Sequence, residues 1–171
     1  NNIWILKNTK EGWSASELQG TTLPFGVSNG CSVVVGKSLL CFGGITAKGP
    51  SDKVIRLDYT GTSVSVKEAG QLPEGFRPAA AVVSKGNIYV HGTVNGKNAL
   101  YQLTAEGMKW KALAGCPERP IAEGATLSSQ HNGYETALYL IGGRGTDEKG
   151  LFIAENVWEY LPISNTWVKK A

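Results

Sequence analysis

Three stretches of the chain repeat one hydrophobic pattern: CSVVVGKSLLCFGG (Cys31–Gly44), AAVVSKGNIYVHGT (Ala80–Thr93) and a third stretch ending in ALYLIGG (Ala137–Gly143). Setting Gly43, Gly92 and Gly142 in register spaces the units 49 and 50 residues apart, and periods of that size mark repeat architectures. After each glycine comes a second strand-like run, at Lys53–Tyr59, Ala99–Ala105 and Glu155–Leu161. A shorter run follows around Val66, Trp110 and Trp167, and the Pro-containing loops LPEGFRP and CPERP lead into the next unit.

Each unit therefore predicts four short strands. The first two form a hairpin, with Gly36-Lys37 at the turn in the first unit and Lys85-Gly86 in the second. Gly supplies the positive φ that two-residue hairpin turns require. The second strand of each hairpin (LLCF, IYVH, LYLI) is apolar on both faces, and such a strand must be covered on both sides. Sheets stacked face to face around an axis satisfy that demand, and a period near 50 residues fits a kelch-type β-propeller. A β-sandwich is the structural alternative, but it gives no reason for the repeat.

Ile3–Leu6 matches the third strand of a blade and Gly12–Ala15 the fourth. Residues 1–20 are thus expected to be the outer half of a blade. Full blades are expected over 21–70, 71–115 and 116–171, all within one propeller domain. Such an arc leaves strand edges and a blade face open, an aggregation liability. The opening Asn-Asn, in place of Met, suggests that something upstream was removed. The expectation is a longer, six-bladed ring, completed by a second chain or segment.

Composition narrows the class further. Gly makes up 22 of 171 residues and charged residues only 18%, which suits short buried strands joined by tight turns and excludes disorder, coiled coil and helical bundle. The net charge of +3 offers no clustered basic stripe, so no nucleic-acid partner is expected. No apolar run approaches a membrane span, so no membrane partner is expected. The two histidines and three cysteines lack metal-ligand spacing, and neither a metal nor a cofactor is expected. Across the first hairpin Ser32 should face Cys41 and Cys31 should face Phe42, which points the two thiols to opposite faces and disfavours a disulfide.

With the blades laid out, the sequence resembles the kelch propellers of the sialic-acid mutarotase (N-acetylneuraminate epimerase) family, including its cyclically permuted branch. The resemblance rests on LPFGVSNGCSVVVGKSLLCFGG, SDKVIRLDYTG, LPEGFRPAAAVVSKGNIYVHG, WKALAGCPERP and ALYLIGGRG. It implies a six-bladed ring holding sialic acid over its channel, interconversion of the α and β anomers, and a periplasmic or secreted bacterial setting. It also implies a carboxylate-binding arginine and an acid/base pair. Family members carry a Glu and an Arg close together in a loop after a Gly-Gly strand. The comparable loop here, Ile45–Ser51, contains neither. Either those roles sit on another blade, or this chain does not perform the chemistry alone. A non-catalytic kelch module that binds a protein partner through its loops is the alternative function.

Arg77 and Arg119 both stand where a Pro-containing loop enters an innermost strand. Their planar guanidiniums suit the carboxylate of a small sugar-acid ligand. Equally, each arginine suits capping of loop carbonyls. Ser28 aligns with Arg77 in the first unit, so building a blade does not require the arginine. Glu123, four residues after Arg119, is the candidate catalytic carboxylate with Arg119 beside it, and its bland role is a surface ion pair with Arg119. Glu118 is a weaker version of the same idea. Arg144, directly after Gly142-Gly143, opens the long charged loop RGTDEKGLFIAEN and is a further substrate-binding candidate, though a solvated loop tip explains it too. His91 takes the position of Phe42 and Ile141 and is expected in the core. His131, in a His-Asn-Gly turn, is expected to face solvent.

Overall fold

The structure is a computed structural model that describes residues 2–61, 63–104 and 108–170. It contains three four-stranded antiparallel meanders, each running outward from an innermost strand. The first comprises β3 (Cys31–Val35), β4 (Ser38–Phe42), β7 (Lys53–Tyr59) and β8 (Val64–Gln71), with the small hairpin β5 (Ile45–Thr46) and β6 (Gly49–Pro50) inserted after β4. The second comprises β9 (Arg77–Ser84), β10 (Asn87–Val94), β11 (Lys97–Thr104) and β12 (Lys109–Leu113). The third comprises β13 (Thr126–His131), β14 (Thr136–Ile141), β17 (Val157–Leu161) and β18 (Thr166–Lys169), with the hairpin β15 (Arg144–Asp147) and β16 (Gly150–Ile153) inserted after β14. Ahead of them, β1 (Asn2–Thr9) and β2 (Gly12–Thr22) form a separate two-stranded sheet. Ala105, the last residue of the run expected at Ala99–Ala105, lies outside the described residues.

The innermost strands β3 and β13 both lie against β9, so the three sheets fan out as blades. Two cores fill the gaps between them. Leu40, Phe42 and Val54 of the first blade meet Ile88, Val90 and Leu103 of the second. Tyr89 and Leu100 on the opposite face of the second meet Leu138, Leu140 and Tyr160 of the third. Every second strand is thus covered on both faces in the middle blade, as its apolar sequence demands. The first hairpin has the expected register, with Cys31 opposite Phe42 and Ser32 opposite Cys41, and all three cysteines are free.

The expected turns are present. Lys85 (φ 48°) and Gly86 (φ 77°) are both left-handed, as a type I′ turn requires, whereas at Gly36-Lys37 Gly36 alone is (φ 60°). Gly92 departs from the expectation. Gly43 (φ 57°) and Gly142 (φ 63°) terminate their strands in the left-handed region, but Gly92 lies inside β10, which continues to Val94. A further tight turn, Asn95-Gly96, both with positive φ, joins β10 directly to β11. The reason lies across the ladder. Asn29 and Gly124 precede the first and third innermost strands with positive φ. Pro78 holds the corresponding place in the second, and its ring fixes φ near −65°. There β9 runs straight from Arg77, and a bulge at His91/Gly92 absorbs the offset. A Cβ on Gly92 would come within 2.1 Å of the Arg77 carbonyl oxygen, so this glycine serves close approach rather than a turn.

Candidate functional site

The hairpin registers define equivalent positions. Cys31, Ala80 and Thr126 pair with Phe42, His91 and Ile141 respectively. Ser28, Arg77 and Glu123 each stand three residues earlier. Arg77 therefore corresponds in the third blade to Glu123, and Arg119 lies outside the equivalence. Ser28 and Glu123 hold their places through matching backbone bridges, to Ile45 and to Arg144. The Arg144 amide donates to the Glu123 carbonyl at 2.9 Å, and the Ile45 amide donates to that of Ser28 at 2.7 Å.

A depression of about 190 Å³ opens where these three entrances converge. Asn29 and Ser51 of the first blade, Phe76 and Arg77 of the second, and Ala122 and Glu123 of the third contribute to its wall. Arg77 is exposed and, among the described residues, makes no ion pair. Glu123 is paired with Arg144, whose Nε lies 3.1 Å from Oε1. The expected pairing of Glu123 with Arg119 is thus corrected: Glu123 pairs with the arginine that follows Gly142-Gly143. The structure joins Arg77 and Glu123 in one pocket and ties Arg144 to it through Glu123.

Arg119 is engaged elsewhere. Its Nε and Nη2 donate to both carboxylate oxygens of Asp147, at 2.6 and 2.7 Å. The guanidinium carbon also lies 4.0 Å above the centre of the Phe152 ring. Hydrogen bonding from Arg119 holds the Asp147 carboxyl down at about 2. Phe152 and Asp147 sit on one face of the β15–β16 hairpin, so Arg119 clasps that hairpin to the linker between the blades. Glu118 is committed too, accepting from Asn156 Nδ2, from Trp158 Nε1 at 3.2 Å and from the Arg119 amide at 3.0 Å. Burial raises its pKa, but these donors outweigh it and the net shift is downward.

His91 is fully buried, as expected, and neither ring nitrogen reaches a hydrogen-bonding partner. Burial lowers its pKa to about 4, which the nearby Ile121 backbone opposes. His131 lies exposed at the His-Asn-Gly turn, where its Nδ1 accepts from the Gly133 amide at 3.0 Å. Among the described residues no group of three or more His, Cys, Asp or Glu is arranged to hold a metal ion. Two wall residues, Asn29 and Ser51, escape a search for charged side chains. Aligning the entrance of each innermost strand, rather than the Gly-Gly ends, is the sequence signal that finds Asn29.

No family model matches the chain. A curated relative, N-acetylneuraminate epimerase of Pasteurella multocida (strain Pm70), is 33% identical over 111 residues, covering 60% of this chain and 27% of the relative. A solved structure, that of YjhT, superposes with a TM-score of 0.65 at 17% identity over 90% of this chain and 53% of its own. The chain has the kelch-propeller fold and resembles N-acetylneuraminate epimerase. It spans about a quarter of that relative's length and about half of the YjhT chain. The three four-stranded blades are the part of the likeness that the structure displays directly.

Proposed function

We propose that the chain forms part of a sugar-acid mutarotase propeller, an isomerase of carbohydrate metabolism that interconverts the anomers of N-acetylneuraminic acid. One observation carries the reading: an arginine without an ion-pair partner among the described residues shares a pocket, at the convergence of three innermost strands, with a carboxylate. The 33% identity to an N-acetylneuraminate epimerase supports the choice of ligand. Arg77 offers the fork for the sugar carboxylate. Glu123, oriented by Arg144, takes the proton of the anomeric hydroxyl as the bond from the anomeric carbon to the ring oxygen breaks. The ring oxygen is protonated from water in the open depression, giving the open-chain ketone. Closure on the other face of the carbonyl returns the proton and inverts the anomeric centre.

The Glu123–Arg144 pair also bears on the Ile45–Ser51 loop, which lacks both residue types. It supports placing those roles on the third blade. The pocket is smaller than the ~300 Å³ at which complete ligand sites begin, in keeping with a ring that further strands complete. A periplasmic or secreted setting belongs to the same proposal. Exchange NMR on N-acetylneuraminic acid tests it, using the intact protein. Faster exchange between anomer signals is expected, and Arg77→Ala should weaken binding by about tenfold or more, the size of a lost charge-assisted hydrogen bond. An exchange rate independent of protein concentration would reject the enzyme and favour a kelch module that binds a protein partner.

A further inference from the structure

On the far side of Arg77 from Glu123 lies a second, larger basin of about 380 Å³. Its wall shares Ser51, Phe76 and Arg77 with the first pocket and adds Asp52, Gln71 and Glu74. Arg77 is therefore a partition between two adjoining spaces of opposite character. One carries a carboxylate already paired with an arginine. The other carries two exposed carboxylates whose oxygens, among the described residues, accept no hydrogen bond.

The frame of this basin is fixed. The Leu72 amide donates to the Asp52 carbonyl at 2.7 Å, the Phe76 amide to the Pro73 carbonyl at 3.1 Å, and Trp110 Nε1 to the Gln71 carbonyl at 2.8 Å. The Ser51 amide is held by the Gly44 carbonyl at 2.8 Å. A pinned backbone presenting free acceptors suits neutral donors such as hydroxyl groups, because a carboxylate accepts from several of them. An anionic group is repelled by Asp52 and Glu74 and drawn to Arg77.

We infer that this basin is the subsite for a hydroxylated arm of the ligand, so that the substrate class is an acid sugar bearing a polyol chain beyond its ring. The inference rests on the sugar-acid reading given above and deepens it. Arg77 takes the carboxylate, and Asp52 and Glu74 take the vicinal hydroxyls of the arm. Charge polarity across Arg77 then fixes the direction in which the ligand lies, since the reversed pose sets carboxylate against carboxylate.

The test compares N-acetylneuraminic acid with its seven-carbon analogue, whose glycerol arm has been shortened by periodate cleavage and borohydride reduction. The intact protein should bind the long acid about tenfold more tightly, the effect of one charge-assisted hydrogen bond. Saturation-transfer NMR should show strong contacts at the terminal arm protons. Asp52→Ala/Glu74→Ala should reduce the preference to within about twofold while affinity for the short acid stays unchanged. Asp52→Asn/Glu74→Gln keeps the shape and should show an intermediate loss. Equal affinity for the two acids, or arm protons that receive no saturation, overturns the subsite and leaves the sugar-acid reading standing. Binding of neither acid overturns both.

Discussion

Between the first and second blades the buried contact is aromatic and apolar throughout. Phe42, Phe76, Tyr101 and Trp110 pack edge to face, with ring centres 4.7–6.4 Å apart. Between the second and third blades the position of Phe42 is taken by His91, and polar contacts do much of the joining. Asn98 is central there. Its Nδ2 donates to the carbonyls of Cys116, Glu118 and Arg119 at 2.9–3.2 Å, and its Oδ1 accepts from the Ile121 amide at 2.8 Å. Trp167 Nε1 ties the Ala114 carbonyl at 2.7 Å, and Asn165 Oδ1 accepts from the Ala114 amide at 2.9 Å. One blade geometry is thus held by aromatic burial on one side and by a hydrogen-bonded linker on the other. The repeat specifies which positions are covered, while the chemistry of covering is free to vary.

The contrast predicts that the first interface is the harder to lose. Phe42 is fully buried, and Phe42→Ala should lower unfolding free energy by about 3–5 kcal/mol, the range for large aromatic truncations in a packed core. Denaturant unfolding measures it. A loss below about 1 kcal/mol would show that the aromatic cluster adapts to the cavity and that the two interfaces do not differ as described.

The second interface should carry a pH dependence that the first lacks. His91 is neutral in the fold, with its pKa lowered from 6.5 to about 4. The unfolded chain takes up a proton near 6.5 while the folded chain does not, so the stability contribution is complete above 6.5. It is lost progressively as pH falls towards 4, by about 3 kcal/mol in all. Asp58, Asp147, Glu118 and Glu159, whose pKa values are also lowered, lose their contributions at lower pH, as each falls below its ordinary carboxylate range. The span between 6.5 and about 4.5 therefore belongs to His91. Unfolding curves at stepped pH should decline over that span, and His91→Phe, the residue of the first blade, should flatten them. An unchanged slope in that variant would assign the decline to other groups.

The blades themselves are legible in the sequence because a buried strand writes its burial directly into residue type. LLCF, IYVH and LYLI name the covered strands, and the Gly-bearing dipeptides name the turns. Residues 31–71 and 126–169 follow that reading closely. The second blade is less legible at Gly92, because the Gly-Gly alignment draws attention from Asn95-Gly96, which is itself a strong hairpin signal. The site was half legible. Arg77, Glu123 and Arg144 are visible as charged residues at strand entrances and ends. Their pairing is not, because Arg119 and Glu123 are four residues apart in sequence yet belong to different contacts once Asp147 returns over the linker on its hairpin. Asn98 gives no sequence signal of its four bonds, which depend on a linker meeting it from twenty residues away.

The smallest expected effect is at Arg119, and it separates the clasp from the site. Arg77 and Arg119 look alike in sequence, each following a proline-containing turn into a blade. In the fold, Arg77 lines the convergent pocket, whereas both guanidinium edges of Arg119 used here are turned to Asp147 and its flat face to Phe152. A guanidinium so engaged has little left to offer an incoming carboxylate. Arg119→Ala should therefore leave affinity for N-acetylneuraminic acid within about twofold of the unaltered protein, less than one neutral hydrogen bond contributes. Its effect should appear instead in the β15–β16 hairpin, as faster amide hydrogen exchange at Gly145 and Phe152. Isothermal titration and exchange on the same sample give both readings. A tenfold loss of affinity with protected hairpin amides would mean that Arg119 leaves Asp147 for the ligand, and would return it to the binding set beside Arg77.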